Sequence, residues 1–206
     1  MHTSPSNPGN VYPDISAFNT PRFTAFEINE SNVDLLQRFF DQNPEYFFTT
    51  GGAAPRENEA VEELRDVPPS DFPCSRILIL CWADAAGKTV AQATLVFDLF
   101  AERVLHIGLF IVATARHGGG TAQECHAAIE RVARENGYRW LRLGVVRGNA
   151  RAERFWERCG YGEVRVREGV EIGKLTHTIR VMLRSLSDQG LTQYLTQVPR
   201  DQPGQT

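Results

Sequence analysis

The chain has 206 residues, 42% of them hydrophobic, four cysteines and a formal net charge of −3, which is ample for one apolar core and too acidic overall for a general nucleic-acid or anionic-membrane binder. Cys74, Cys81, Cys125 and Cys159 form no Cys-x-x-Cys pair and have no partnering histidine spacing, so neither a metal site nor a disulfide framework is expected. No apolar run nears the roughly 18 residues of a membrane span and the start lacks a signal-peptide pattern, so the expected location is the cytoplasm.

Along the chain, residues 1–20 carry Pro5, Pro8 and Pro13 among Ser, Asn and Thr and predict a mobile lead. Phe23 to Ile28 reads as a strand. Ser31-Asn32 then caps a helix with Leu35, Leu36, Phe39 and Phe40 on one face, ended by Asn43-Pro44. After Glu45-Tyr46-Phe47-Phe48 and Gly51-Gly52, a second helix spans about Glu57 to Leu64. Arg76 to Ala83 and Thr89 to Phe100 form a hairpin about Asp84–Lys88, and Val104 to Val112 is a central strand.

The next helix places Ala122, Cys125, Ile129, Val132 and Ala133 on one face and stops at Asn136-Gly137. A strand from Trp140 to Val146 and a helix from Ala150 to Cys159 follow, then two strands near Glu163–Glu168 and Leu175–Leu183. From Ser187 the chain is polar, although Leu191, Tyr194, Leu195 and Val198 keep helical spacing. That segment predicts a tail with at most a docked helical turn, on this chain or on a second copy in a homodimer. One domain over 21–186 between two tails is the expected organisation.

Most informative is Arg116-His117-Gly118-Gly119-Gly120-Thr121 between the central strand and the amphipathic helix. Such glycines let the backbone approach a ligand, and the helix start adds unpaired N–H groups and a positive dipole end. No Lys-Ser/Thr pair follows Gly120, and Gln123 stands where a dinucleotide fingerprint needs glycine. An anion cradle and a plain tight turn remain. Nearby, Arg151, Arg154 and Arg158 form one helical stripe. It reads as a solvated face paired with Glu153 and Glu157, with phosphate contact as the alternative.

Arg116-x-x-Gly119-x-Thr121 closely resembles the pyrophosphate loop of the GNAT acyltransferase superfamily, Thr121 being a small departure. About thirty residues later, Asn149-x-x-Ala152-x-x-Phe155-Trp156-x-Arg158-Cys159-Gly160-Tyr161 resembles its second motif. The resemblance implies an α/β fold with a mixed, mostly antiparallel sheet flanked by helices and splayed between its fourth and fifth strands. It implies acetyl-CoA as co-substrate and an amine acceptor, taken to be a small molecule. By the same resemblance, the backbone of Leu109, Phe110 and Ile111 would pair with the pantetheine arm, and His117, Gly118, Gly119, Gly120, Thr121 and Ala122 would hold the pyrophosphate. Arg116 would pair with a phosphate or cover the loop. Asn149 would touch the cofactor or cap a helix. Tyr46 and Phe47 would line the acceptor site.

Where many relatives carry a tyrosine as general acid, this chain has Trp156, and where others carry a glutamate base it has Gly144. A lysine-like amine costs about 4 to 5 kcal/mol to deprotonate at pH 7 and an α-amine only about 1, so the missing base matters more than the missing acid. His106 and Tyr46 are the candidates for that proton, His106 being either base or structural histidine. A protein acetyltransferase and an acyl-CoA-binding module without turnover are the alternative functions.

Overall fold

A computed structural model describes residues 12–204. Its framework is one sheet of seven strands: β1 (Thr24–Glu27), β2 (Arg76–Ala83), β3 (Thr89–Phe97), β4 (Val104–Val112), β5 (Trp140–Val146), β6 (Gly162–Ile172) and β7 (Leu175–Ser185). The strand order is β1-β2-β3-β4-β5-β7-β6, antiparallel except for β4 beside β5. Six α-helices flank it among the described residues: α1 (Val33–Asp41), α2 (Glu45–Gly51), α3 (Glu59–Arg65), α4 (Thr121–Glu135), α5 (Ala150–Arg158) and α6 (Leu191–Gln197). None is long and apolar enough to cross a membrane.

Each face of the sheet has its own core. One packs Leu105, Ile107, Leu141 and Leu143 under Cys125, Ile129 and Val132 of α4 and Trp156 of α5. The other packs Ile79, Cys81 and Ile111 under Leu36, Phe39 and Phe40 of α1 and Ala60 of α3. Alternation along a strand assigns residues to these faces, and β4 changes its alternation midway. Leu95 faces Ile107 and Thr94 faces Leu109, so Gly108 is an extra residue in the strand. That bulge keeps Leu105, Ile107, Phe110 and Val112 on the α4 face and turns Leu109 and Ile111 to the α1 face. Pairing with β5 ends at Ile107 opposite Leu143. Beyond it the two strands splay, as the resemblance implied.

Several boundaries depart from the expectations. β3 stops at Phe97 because Asp98, Phe100 and Arg103 take left-handed φ of 55°, 68° and 66° in the turn to β4. β6 runs past Glu168 because an irregularity between Arg167 and Val170 absorbs Gly169. Glu45 to Gly51 forms a helix of its own, and Leu35 of α1 stays exposed. Asn32 starts α1 without capping it, since its side-chain oxygen takes the N–H of Asn29.

The ends of the chain are used more than their polarity suggested. Residues 1–11 of the lead lie outside the described residues, while Phe18 is fully buried and its carbonyl accepts the Trp82 indole N–H at 2.9 Å. The segment after Ser187 packs on its own sheet. Tyr194 and Val198 join Val104 and Trp140 in a third cluster, and the fully buried Asp201 takes both Nε and Nη2 of Arg142 on β5, at 2.7 and 2.9 Å.

Candidate functional site

The glycine turn stands at the mouth of the splay. Gly118 and Gly120 each have φ of 77°, a conformation that side chains oppose. The N–H groups of Gly118, Gly120, Thr121, Ala122 and Gln123 donate to no acceptor among the described residues, whereas those of His117 and Gly119 bond back to Thr114 and Arg116. The donor set is therefore shifted one residue into α4 from the one expected. These groups face a cavity of about 500 Å³ together with Phe110, Arg151, Ala152, Trp156 and Arg158.

The charged residues around the turn divide their work. Arg116 bonds Asp84 of the β2–β3 turn at 2.5 Å, which ties the loop to the sheet. Arg151 donates to Nδ1 of His117 at 2.9 Å, leaving Nε2–H to donate to the Val112 carbonyl at 3.0 Å, because a guanidinium can only donate. Glu153 and Glu157 pair with Arg180 on β7, at 3.0 Å each, and not with the arginine stripe. The expectation of a self-neutralised solvated face is thus corrected, and Arg151 and Arg158 line the cavity.

Between the splayed strands lies a second cavity of about 270 Å³, which shares Tyr46, Phe110, Asn149, Ala152 and Trp156 with the first. Asn149 caps α5 through its side-chain oxygen, 3.2 Å from the Ala152 N–H, and also lines both cavities. Trp156 is buried against Phe110, Phe155, Tyr161 and His126. His126, absent from the expected helix face, is itself buried and meets the Tyr161 hydroxyl at 3.0 Å. Gly144 lines the same cavity, and a Cβ there would come within 3.1 Å of Ile179. A glutamate at that position would crowd the space.

Neither expected proton acceptor has the right environment. Burial and the Arg142 charge push His106 down to about 3, and Arg142 donates to its Nδ1 at 3.3 Å. The ring is neutral, and its basic nitrogen is occupied. Burial, with the nearby Glu63 charge, raises the Tyr46 phenol above its usual range, so it stays protonated. Phe47 packs edge-on to Phe40 and Tyr46 in the core and lines none of the three cavities.

A third cavity, of about 360 Å³, opens on the α3 face and shares His106, Gly108, Arg142 and Arg167 with the splay. Leu109 points its side chain here. So does Glu63 of α3, whose Oε1 accepts the Thr94 hydroxyl, which in turn accepts Nε2 of the fully buried Gln92 at 2.8 Å. Burial raises the Glu63 carboxyl, with Asp66 adding to the effect and the Thr94 bond opposing it. Nothing in the sequence distinguishes Glu63 from Glu57, Glu59 and Glu62 of the same stretch. Only packing of α3 across β3 singles it out.

Residues 26–161 match the model of the acetyltransferase (GNAT) family. Among solved structures, an acetyltransferase from Thermus thermophilus superposes with a TM-score of 0.62 at 21% identity, over 81% of this chain and 99% of its own. The ribosomal-protein-S18-alanine N-acetyltransferase from Escherichia coli gives 0.60 at 14% identity, over 82% and 97%. The spermidine N-acetyltransferase from Vibrio cholerae, in complex with CoA and spermine, gives 0.58 at 17%, over 80% and 95%. No curated protein matches the chain.

Proposed function

We propose, from the premise that this chain belongs to the acetyltransferase (GNAT) family, that it moves an acetyl group from acetyl-CoA to the amine of a small-molecule acceptor. The observation that carries this reading is a row of three cavities at the splay, each sharing lining residues with the next. Unpaired main-chain N–H groups line the first and the Glu63 side chain lines the last.

Bound acetyl-CoA would supply an acetyl thioester for direct attack by the amine, the C–S electron pair leaving with the thiolate. Gly118, Gly120, Thr121, Ala122 and Gln123 hold the diphosphate, aided by the positive end of the α4 dipole. The β4 edge from Gly108 onward, without a partner strand on the β5 side, binds the pantetheine amides as an added strand would. Glu63 accepts the amine proton on Oε2, because Oε1 is occupied by Thr94. Tyr46 and Trp156 wall off the splay from water. A thiol's pKa of about 8.5 makes thiolate a tolerable leaving group near neutral pH, so Trp156 needs no transferable proton. The alternative of a binding module without turnover rests on the absence of both usual proton handlers, and the Glu63 carboxyl beside the splay speaks for turnover.

The cradle is tested with Ala122→Glu, a helix-compatible change that points a carboxylate at the unpaired N–H groups. The parent should gain about 2.7 kcal/mol of stability at acetyl-CoA concentrations a hundredfold above Kd. The variant should melt like the parent without ligand and lose that gain. An undiminished gain means the diphosphate binds elsewhere.

A further inference from the structure

The groove on the α3 face is lined by charges of both signs. Glu63 and Asp66 come from α3 and the residue that ends it, and Arg167 and Arg200 from β6 and the C-terminal segment. The charge of the adjoining Arg142 is already taken up by Asp201. Arg200 differs: its guanidinium lies between two rings, 4.0 Å from the Phe72 centroid and 4.3 Å from that of Phe100. Among the described residues, neither Arg200 nor Arg167 has a carboxylate partner, and the side chain of neither donates a hydrogen bond. Burial and the neighbouring Arg142, Arg167 and Arg165 charges work against the charged form of Arg200, and the Asp201 charge only partly offsets them.

The clamp on Arg200 is built with strain. Phe100 holds a left-handed φ of 68°, a conformation that an aromatic side chain disfavours. The chain accepts this at the rim of the groove, where the ring fixes the plane of a guanidinium whose edge can present two donors to a carboxylate. Repelling arginines with idle donors, in one groove with two carboxylates, are matched by an anion attached to an amine.

We propose that the acceptor is a zwitterion of amino-acid size, an amine bearing a carboxylate, with the carboxylate held by Arg200 and Arg167 and the amine set beside Glu63. The volume of about 360 Å³ lies at the small end of ligand pockets and suits such a molecule. This inference rests on the reading of the α3-face groove as the acceptor site.

The experiment compares natural amino acids with their own carboxamides as acceptors, in the parent and in Arg200→Met and Arg167→Gln, following release of free thiol with acetyl-CoA. The carboxamide amine is the less basic of each pair, so deprotonation alone favours the carboxamide. Preference of the parent for the free acid in kcat/KM by tenfold or more, reduced at least tenfold in either variant, supports the proposal. Equal use of both, or a preference unchanged in both variants, overturns it while acetyl transfer to amines stands. Arg167 is exposed, so its variant reports even if Arg200→Met does not fold. If no compound is acetylated, the functional reading fails and the groove is judged by melting temperature alone. Protection of the parent by the free acids, lost in Arg167→Gln, supports the subsite, and no protection overturns it.

Discussion

Glu63 is the residue on which turnover depends in this reading, and its environment sets the pH behaviour. A base whose carboxyl is raised by burial should give a rate that climbs with pH above the ordinary carboxylate range. Glu63→Gln should remove that limb and lower kcat by roughly 10² to 10⁴, whereas His106→Gln should leave the limb in place. A limb that disappears only with His106 would reverse the assignment. Two buried histidines govern stability in another way. His126, pushed down to about 4 by burial, and His106, at about 3, are neutral in the folded protein where an unfolded histidine near 6.5 binds a proton. The unfolded state then holds more protons, so stability contributed by the neutral rings is complete above about pH 6.5 and falls as the pH drops below it. The expected slope is about 1.4 kcal/mol per pH unit for each ring. Glu63, raised, works in the opposite sense as it protonates. Denaturant titrations between pH 4 and 7 should show the slope shallower in His126→Gln than in the parent.

At the scale of elements, what could be read in advance was what is local. The glycine turn, the Asn149 cap and the α4 stripe each lie within a few residues of sequence, and the hairpin β2–β3 follows from alternation about Asp84–Lys88. The α3-face groove is not local. Glu63 meets Thr94 across 31 positions, and Arg142 meets Asp201 across 59, so no window of sequence contains either pair. The polar composition after Ser187 concealed a segment held by a buried ion pair. Asp201 is fully buried, accepts the Tyr194 hydroxyl as well as Arg142, and anchors the segment from which Arg200 reaches the groove. Asp201→Ala strands a guanidinium in the core and should cost about 3 to 5 kcal/mol. The loss should appear in the denaturant midpoint, together with protease sensitivity after Ser187.

Across the whole molecule, the sheet keeps two tasks apart. In this reading the diphosphate is held at the start of α4 and beside α5 and the acceptor on the α3 face, and the cavities share residues where β4 and β5 part. The Gly108 bulge sets which side each residue takes, since one extra residue moves Leu109 and Ile111 off the face of Leu105 and Ile107 and puts Phe110 on it. The arrangement acts as a partition with a single opening, and its consequence is for how such a protein changes over time. Drift in α3, the Phe100 turn or the C-terminal segment can retune what is acetylated while the donor side, on the opposite wall, is left untouched. In this reading, libraries restricted to positions 66, 72, 167 and 200 would explore new acceptors while Glu63 and the donor side stay in place.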